Sequence, residues 1–391
     1  MQESRLNACG IIAEYNPLHN GHVYQLDRAR ALTNADVLVV VMSGNFVQRG
    51  EIALVDKWCR TQMALDAGAD LVVELPFSAA TQPADGFSAG AVRILADLGC
   101  DFLAFGTEMP NLNYAKLGQA MLKLPRRQDI FVDYTKTYAT QLNELLQAEL
   151  GVTLTQPNLL LAASYAKAVM AEPDPMTLLP ILRIGANHDD PRTLGKYSSA
   201  SHIRRVLQAG GAIQDLVPYL PNSSVMALAS YPGPFLDWAA CFSYLKYQIN
   251  TMTLADLGQI YQVTEGLEYR IKKVINQSQT FAEFLQRLKT KRYTNARLQR
   301  VCLNVLLKVT KTQMAQSQLF IHPLGFNERG RQFLHQSKQS RTLPLVTKPD
   351  AKNTAEAGLF YLQSRVDRFM AQLSGRPQNF RREPLYYRKG E

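Results

Sequence analysis

The chain has 391 residues, 46% of them hydrophobic and 19% charged, which is enough to bury two or three cores and excludes a small disulfide-stapled scaffold. No run approaches the roughly 20 consecutive apolar residues of a membrane span, the opening MQESRLNACG has no apolar signal-peptide core, and Cys9, Cys59, Cys100, Cys241 and Cys302 lie scattered without a CxxC pair, so a reducing cytoplasm is expected, and neither a membrane partner nor a zinc site is. The formal net charge of +10 belongs to the second half: Met1 to Arg205 holds 18 Lys and Arg against 21 Asp and Glu, whereas Val206 to Glu391 holds 25 against 12.

In chain order, ACGIIAEY, DVLVVVM, DLVVELP and DFLAFG are short apolar segments rich in β-branched or aromatic residues, separated by stretches of helical periodicity. Val23, Leu26, Ala29 and Leu32 predict the buried face of the first helix. VDKWCRTQMALDAG and ADGFSAGAVRILADLG predict two more, each followed by a Gly stop signal. The alternation implies βαβ units, hence an α/β, Rossmann-like parallel sheet covered on both faces, with ligands beyond the carboxyl ends of its strands. Asn111 to Gly151 reads as a mostly helical insertion, through NYAKLGQAMLKL and YTKTYATQLNELLQAEL. The α/β pattern returns with PNLLLAASYAKAVMA as helix and MTLLPILRI as strand, then a loop, GANHDDPRTLGKYSSAS, leading into HIRRVLQAG. After about Gly211 strand signals are rare, and FLDWAACFSYLKYQIN, TLADLGQIY, GLEYRIKKVINQ, TFAEFLQRLKT and NARLQRVCLNVLLKVT predict successive helices. The expected organisation is a catalytic α/β domain over 1–211, a basic, mostly α-helical region over 212–317 and a less regular tail over 318–391.

Where the first strand gives way to the first helix, the sequence sets His19 and His22 around Asn20 and Gly21. A helix N-terminus presents unsatisfied N–H groups and partial positive charge. Gly21 has no Cβ to hold a phosphate chain off the backbone, and Pro17 stiffens the turn. Two imidazoles there can donate hydrogen bonds to triphosphate oxygens as charge grows on a departing pyrophosphate, and the protein need supply no nucleophile. The bland alternatives are two loop histidines, or half of a metal site. No cysteine or acidic cluster completes a ligand set, and the position after the first strand of a βα unit favours a nucleotide.

On these residues the chain resembles the HxGH nucleotidyltransferase superfamily, in which an acid or phosphate attacks the α-phosphate of ATP. A second superfamily signature, a Ser/Thr-rich turn followed by Ile-Arg, is similar to SSASHIRR, Ser198 to Arg205, although Ala200 and His202 stand where Ser or Thr is more usual. Within it Ser201 could cap the helix and Arg204 could reach phosphates. EYNPLHNGH, VMSGNFVQRGE, DKWCRTQMAL, ADLVVELP and FGTE, with FSYLKY, EGLEYRI and LKTKRYTNARLQR downstream, resemble the bacterial tRNA(Met) cytidine acetate ligase family over nearly the whole chain. That resemblance implies an acetyl-adenylate made from acetate and ATP, with Mg2+ accompanying the ATP. The acetyl group would then pass to N4 of the wobble cytidine of elongator tRNA(Met), giving N4-acetylcytidine. It further implies catalytic roles for His19 and His22 within an ATP-binding stretch of Ile12, Ala13, Glu14, Tyr15, Asn16, Pro17, Leu18, His19, Asn20, Gly21, His22, Val23, Tyr24 and Gln25, completed by Gly106, Asn158 and Arg183. Read by themselves, Gly106 and Arg183 close strands and suit the ligand crest of the sheet, whereas Asn158 serves equally well as a helix N-cap.

Arg49, Lys57 and Arg60 fall on or just after loops at the same sheet edge and are candidates for phosphate or acetate; surface solvation is the commoner role of such residues. Trp58 reads as packing. Downstream, LKTKRYTNARLQR offers Lys289, Lys291, Arg292, Tyr293, Arg297 and Arg300 as candidates for tRNA, because basic residues with an interleaved aromatic suit an RNA backbone and a splayed base. A solvated helix face is the alternative. No DNA partner is expected. Two rival functions fit parts of the sequence: a small-molecule adenylyltransferase, which leaves the basic half idle, and a catalytically silent RNA-binding protein, which leaves the intact His19, Gly21 and His22 unexplained.

Overall fold

A computed structural model describes residues 4–123, 157–184, 195–264, 266–380 and 382–388, together with 143, 144, 147, 151 and 153. Its first part alternates β1 (Ala8–Ala13), α1 (Asn20–Thr33), β2 (Val37–Ser43), α2 (Lys57–Asp66), β3 (Leu71–Leu75), α3 (Phe77–Ala80), α4 (Ala84–Leu98), β4 (Phe102–Thr107), α5 (Tyr114–Lys123), α6 (Pro157–Met170) and β5 (Thr177–Leu182). Strands β1 to β5 pair in parallel, and the whole sheet runs β5-β4-β1-β2-β3-β6-β7. The chain therefore leaves β1 in one direction for β2 and β3, and later returns on the other side for β4 and β5. The crevice between β1 and β4 is the switch point at which such sheets hold their ligands.

Strand periodicity divides the apolar side chains between two layers. On β2, Val37, Val39 and Val41 join the core beneath α4, α5 and α6, while Leu38, Val40 and Met42 join the opposite core with Leu26 and Ala29 of α1 and Met63 and Ala64 of α2. Helix α1 departs from the expected face in one place: Leu26, Ala29 and Thr33 are buried, but Leu32 is 48% exposed. Thr33 is the residue that faces inward there, with its hydroxyl donated to the Ala29 carbonyl at 2.7 Å.

Two short helices, α7 (Ala200–Gln208) and α8 (Asn222–Ala229), lead into a helical layer made of α9 (Phe242–Thr251), α10 (Leu254–Gln259), α11 (Leu267–Ile275), α12 (Phe281–Leu288), α13 (Asn295–Leu306) and α14 (Lys311–Gln316). Its core draws in Phe46, Ile52 and Phe77 from the first half of the chain. The segment expected to be a less regular tail is instead part of the fold. β6 (His322–Phe326) pairs antiparallel with β3, α15 (Glu328–Gln336) and α16 (Ala351–Thr354) follow, α17 (Tyr361–Ser374) packs on the helical core, and β7 (Leu385–Tyr386) pairs with β6. The reading missed β6 because Pro323 and Gly325 interrupt it, and a short strand at a mixed edge tolerates both. Of the insertion over 111–151, α5 is in place; YTKTYATQLNELLQAEL lies mostly outside the described residues, as does much of the loop before α7. No helix among the described residues is long and apolar enough to cross a membrane.

Candidate functional site

Tyr15 turns the chain out of β1 with a positive φ of 45°, and a cis Asn16-Pro17 bond follows. His19 then caps α1. Its Nδ1 accepts the Gly21 N–H at 3.1 Å, and His22 Nδ1 accepts the His19 N–H at 3.3 Å, so the two rings form a reciprocal capping box. The rings stack with centroids 3.7 Å apart and planes 18° from parallel, and Tyr15 meets His22 edge-on. Because a backbone N–H occupies each Nδ1, the ring proton of each neutral imidazole is assigned to Nε2. Burial, then the neighbouring His19 and Arg183, hold the His22 pKa well below its ordinary 6.5, so this ring is neutral near pH 7. The result is a pair of ring N–H donors at a helix N-terminus, the His22 ring held neutral by burial. Gly21 lies close under the stack: a Cβ there would lie 3.0 Å from His19 Cε1 and 3.1 Å from its Nδ1, tight enough that the His19 ring would have to give by a few tenths of an ångström.

The loop around these rings is pinned at several points. Glu14 Oε1 accepts the Gln48 N–H at 2.9 Å, Asn16 Oδ1 accepts the Leu54 N–H at 2.8 Å, and Asn20 Nδ2 donates to the Lys196 and Pro218 carbonyls at 3.0 Å each. Gln25 Nε2 reaches the Ala104 carbonyl on β4 at 3.4 Å, and Leu18 is fully buried. Across the crevice, Gly106 lies on β4 with the Arg183 side chain against it: a Cβ at Gly106 would sit 3.2 Å from Arg183 Cγ. Arg183 follows β5, and burial lowers its pKa against the opposing pull of Glu108. Asn158 does not act as a cap. It is the second residue of α6, and its Nδ2 donates to Glu108 Oε1 at 2.8 Å. The structure thus brings His19, His22, Gly106, Asn158 and Arg183 to the crest of β1, β4 and β5.

Other candidates lie elsewhere than expected. Lys57 is wholly buried, donating to Glu74 Oε1 and Oε2 at 2.9 Å, Asp367 Oδ2 at 2.7 Å and Asn379 Oδ1 at 3.2 Å. Burial works against its charge, but the two carboxylates outweigh it and the ammonium pKa is raised. Arg60 is buried too, donating to the carbonyls of Val55, Glu14, Ser43 and Gly44, and burial brings its pKa down to about 10. These two cations join the loops behind the site and are closed to a phosphate or acetate. Arg49 is partly buried in the turn closed by the Gly50 N–H and the Val47 carbonyl. Ser199, not Ser201, caps α7, accepting the His202 N–H at 3.1 Å. Arg204 links two site loops, donating to the Asn16 carbonyl and pairing with Glu51, each at 2.9 Å. Trp58 packs, with its Nε1 donating to the Gln378 carbonyl.

In the basic segment, Lys289, Lys291 and Arg292 are exposed, Arg297 is partly buried over the Tyr293 ring, and Tyr293 and Arg300 are buried. Tyr293 is a core residue and presents no open face for a base, and Arg300 donates to the Gln48 carbonyl at 3.3 Å. The segment supplies surface charge at its first half only. Sequence reasoning passed over Glu108, although an acidic residue one step beyond the strand at the switch point was the available signal.

The chain matches the family described as HIGH Nucleotidyl Transferase over residues 6–383. A relative from Latilactobacillus sakei subsp. sakei (strain 23K), named tRNA(Met) cytidine acetate ligase, is 50% identical over 381 residues, covering 97% of each chain. Another of that name, from Lactobacillus gasseri, is 44% identical over 387 residues, 97% of this chain and 99% of its own. Among solved structures, Thermotoga maritima TmcAL in its apo form I matches with a TM-score of 0.89 and 27% identity over 98% of this chain and 100% of that one. The same protein bound with alpha-thio ATP matches at 0.85 and 26%, over 97% and 99%.

Proposed function

Since this chain belongs to the HIGH nucleotidyl transferase family, and within it to the tRNA(Met) cytidine acetate ligases, we propose that it uses ATP to join acetate to the wobble cytidine of elongator tRNA(Met). The observation that carries the reading is the stacked pair His19 and His22 at the N-terminus of α1, whose Nδ1 atoms both accept backbone N–H groups, so that Nε2 is the ring nitrogen that carries the proton. A solved relative of the same fold, bound with alpha-thio ATP, supports a nucleotide in this chain.

Acetate oxygen attacks the α-phosphorus in line, the bond to the β-phosphate breaks, and pyrophosphate leaves with the charge that the two imidazoles and the helix terminus stabilise. Acetyl-adenylate remains, with Arg183, Gly106 and Asn158 at the nucleotide. The cytidine N4 then attacks the acetyl carbon, AMP departs with the carboxyl oxygen, and the amine loses a proton. Because that amine is a poor nucleophile, holding it against the mixed anhydride away from water is the main task of the second step. Mg2+ would travel with the ATP phosphates. In this reading residues 1–211 handle ATP and acetate, and the exposed Lys289, Lys291 and Arg292 in the region 212–317 meet tRNA phosphates. Incubation with ATP, labelled acetate and unmodified bulk tRNA, followed by nucleoside analysis, should place label in N4-acetylcytidine, and acetate should support ATP–pyrophosphate exchange without tRNA. Exchange that never needs acetate, or label that never reaches cytidine, refutes the proposal.

A further inference from the structure

Glu108 stands one residue beyond β4, at the switch point of the sheet. Its Oε1 accepts the Asn158 amide at 2.8 Å and lies 3.4 Å from Arg183 Nε. One carboxylate oxygen therefore holds two residues of the proposed nucleotide site, one from α6 and one from the end of β5. The second oxygen, Oε2, is closed off from solvent and has no hydrogen-bond partner among the described residues. A carboxylate oxygen kept from water without a donor is costly, and in a native protein it calls for a partner that the protein itself does not supply: an ordered water, an ion or a ligand group.

The chemistry of that missing group is limited. Phosphate oxygens bring acceptors and like charge, so they are repelled. Arg183 already separates the two functions: its Nε is turned to Glu108, and Nη1 and Nη2 have no protein partner among the described residues. A planar guanidinium held this way offers its outer edge to phosphate and leaves the carboxylate for a neutral O–H or N–H. In ATP those donors belong to the nucleoside half, as ribose hydroxyls or the 6-amino group. We propose that Glu108 Oε2 accepts a hydrogen bond from one of them, which makes Glu108 a specificity-determining residue of the site. The inference rests on the reading that ATP occupies this crevice.

Glu108→Gln tests it, because the amide keeps an acceptor for Asn158 and puts a donor where Oε2 stood. Equilibrium binding to the full chain would be measured for ATP, 2′-deoxy-ATP, 3′-deoxy-ATP and inosine triphosphate, which carries a carbonyl in place of the 6-amino group. The variant should bind ATP roughly 10- to 100-fold more weakly, the loss expected of a hydrogen bond to a charged group. Wild type should disfavour one of the analogues by a similar factor, and the variant should no longer disfavour it, which identifies the donor. Unchanged ATP affinity, or penalties that simply add for all three analogues, overturns the assignment. If wild type binds no ATP, the functional reading falls and takes this one with it; if wild type binds ATP and the penalties add, only Glu108 falls. Thermal melting followed by circular dichroism checks the fold. Should the Gln variant not fold, Glu108→Asp, which withdraws the carboxylate by one methylene, is expected to lose the same discrimination.

Discussion

Acidification should weaken this protein through His22, and removing that ring should remove the effect. The folded state holds the imidazole pKa well below 6.5 by burial, by His19 and by Arg183, whereas the unfolded chain restores the ordinary value. Below pH 6.5 the unfolded state therefore binds a proton that the folded state refuses, so the stabilisation is present above that pH and is lost as pH falls. For one group, going from about pH 7 to about pH 5.5 shifts the balance by at most about 1.3 kcal/mol, reached if the folded ring takes up no proton in that window. Urea denaturation of wild type and His22→Asn at both pH values isolates the term, since other titrating groups cancel in the difference. Asn keeps a side-chain acceptor for the His19 N–H. Wild type should lose more stability than the variant on acidification, by a margin approaching that figure. Two parallel losses would show that the ring is not held neutral, and the assignment of its Nε2–H as a neutral donor would fail with it.

Lys57→Met should cost about 3–5 kcal/mol, because it leaves Glu74 and Asp367 buried against each other without the Lys57 ammonium; an unfolding free energy from urea denaturation within about 1 kcal/mol of wild type would refute the network. Gly21→Ala should reduce acetate-dependent ATP–pyrophosphate exchange by up to about 100-fold, since the new methyl group must displace the His19 ring, and should leave stability nearly unchanged. Full exchange in that variant would separate the stacked pair from the chemistry. Replacing Lys289, Lys291 and Arg292 with Gln should flatten the salt dependence of tRNA binding by about 0.7 to 0.9 log units per phosphate contact removed, with exchange preserved. Lost exchange with unchanged tRNA affinity would assign those residues to the wrong half.

The first part of the fold was legible because its signals are local. A strand such as Val37–Ser43 shows its apolar run directly, and the HNGH turn shows its place between β1 and α1. What could not be read depends on partners far away in the chain. Lys57 and Arg60 look like ordinary loop cations until Asp367, 310 residues on, and the carbonyls of Ser43 and Gly44 surround them. The clue was Glu74, an acidic residue inside an otherwise apolar strand, which calls for a buried cation. Tyr293 likewise looked available for a base because it stands among lysines and arginines, yet helical packing turns it inward. Asn158 was ambiguous for a different reason: cap and ligand require the same residue type at a helix start, and only the position of Glu108 decides where its amide points.

The edge of the sheet carries a consequence for how the chain is made. β3 emerges from the ribosome early, but β6, which covers its open side, comes about 250 residues later, and Asp367 later still. Throughout that interval β3 presents unpaired backbone groups along an apolar strand, and Lys57 has only one of its two carboxylates. The α/β half can thus take shape during synthesis, but it is sealed only when the last residues arrive. A nascent chain halted before His322 would be a sheet with a sticky margin, open to pairing with a neighbour on the same messenger. The sheet and the helical layer are then closed together, so a truncated α/β half is expected to be taken up by chaperones and proteases rather than to persist.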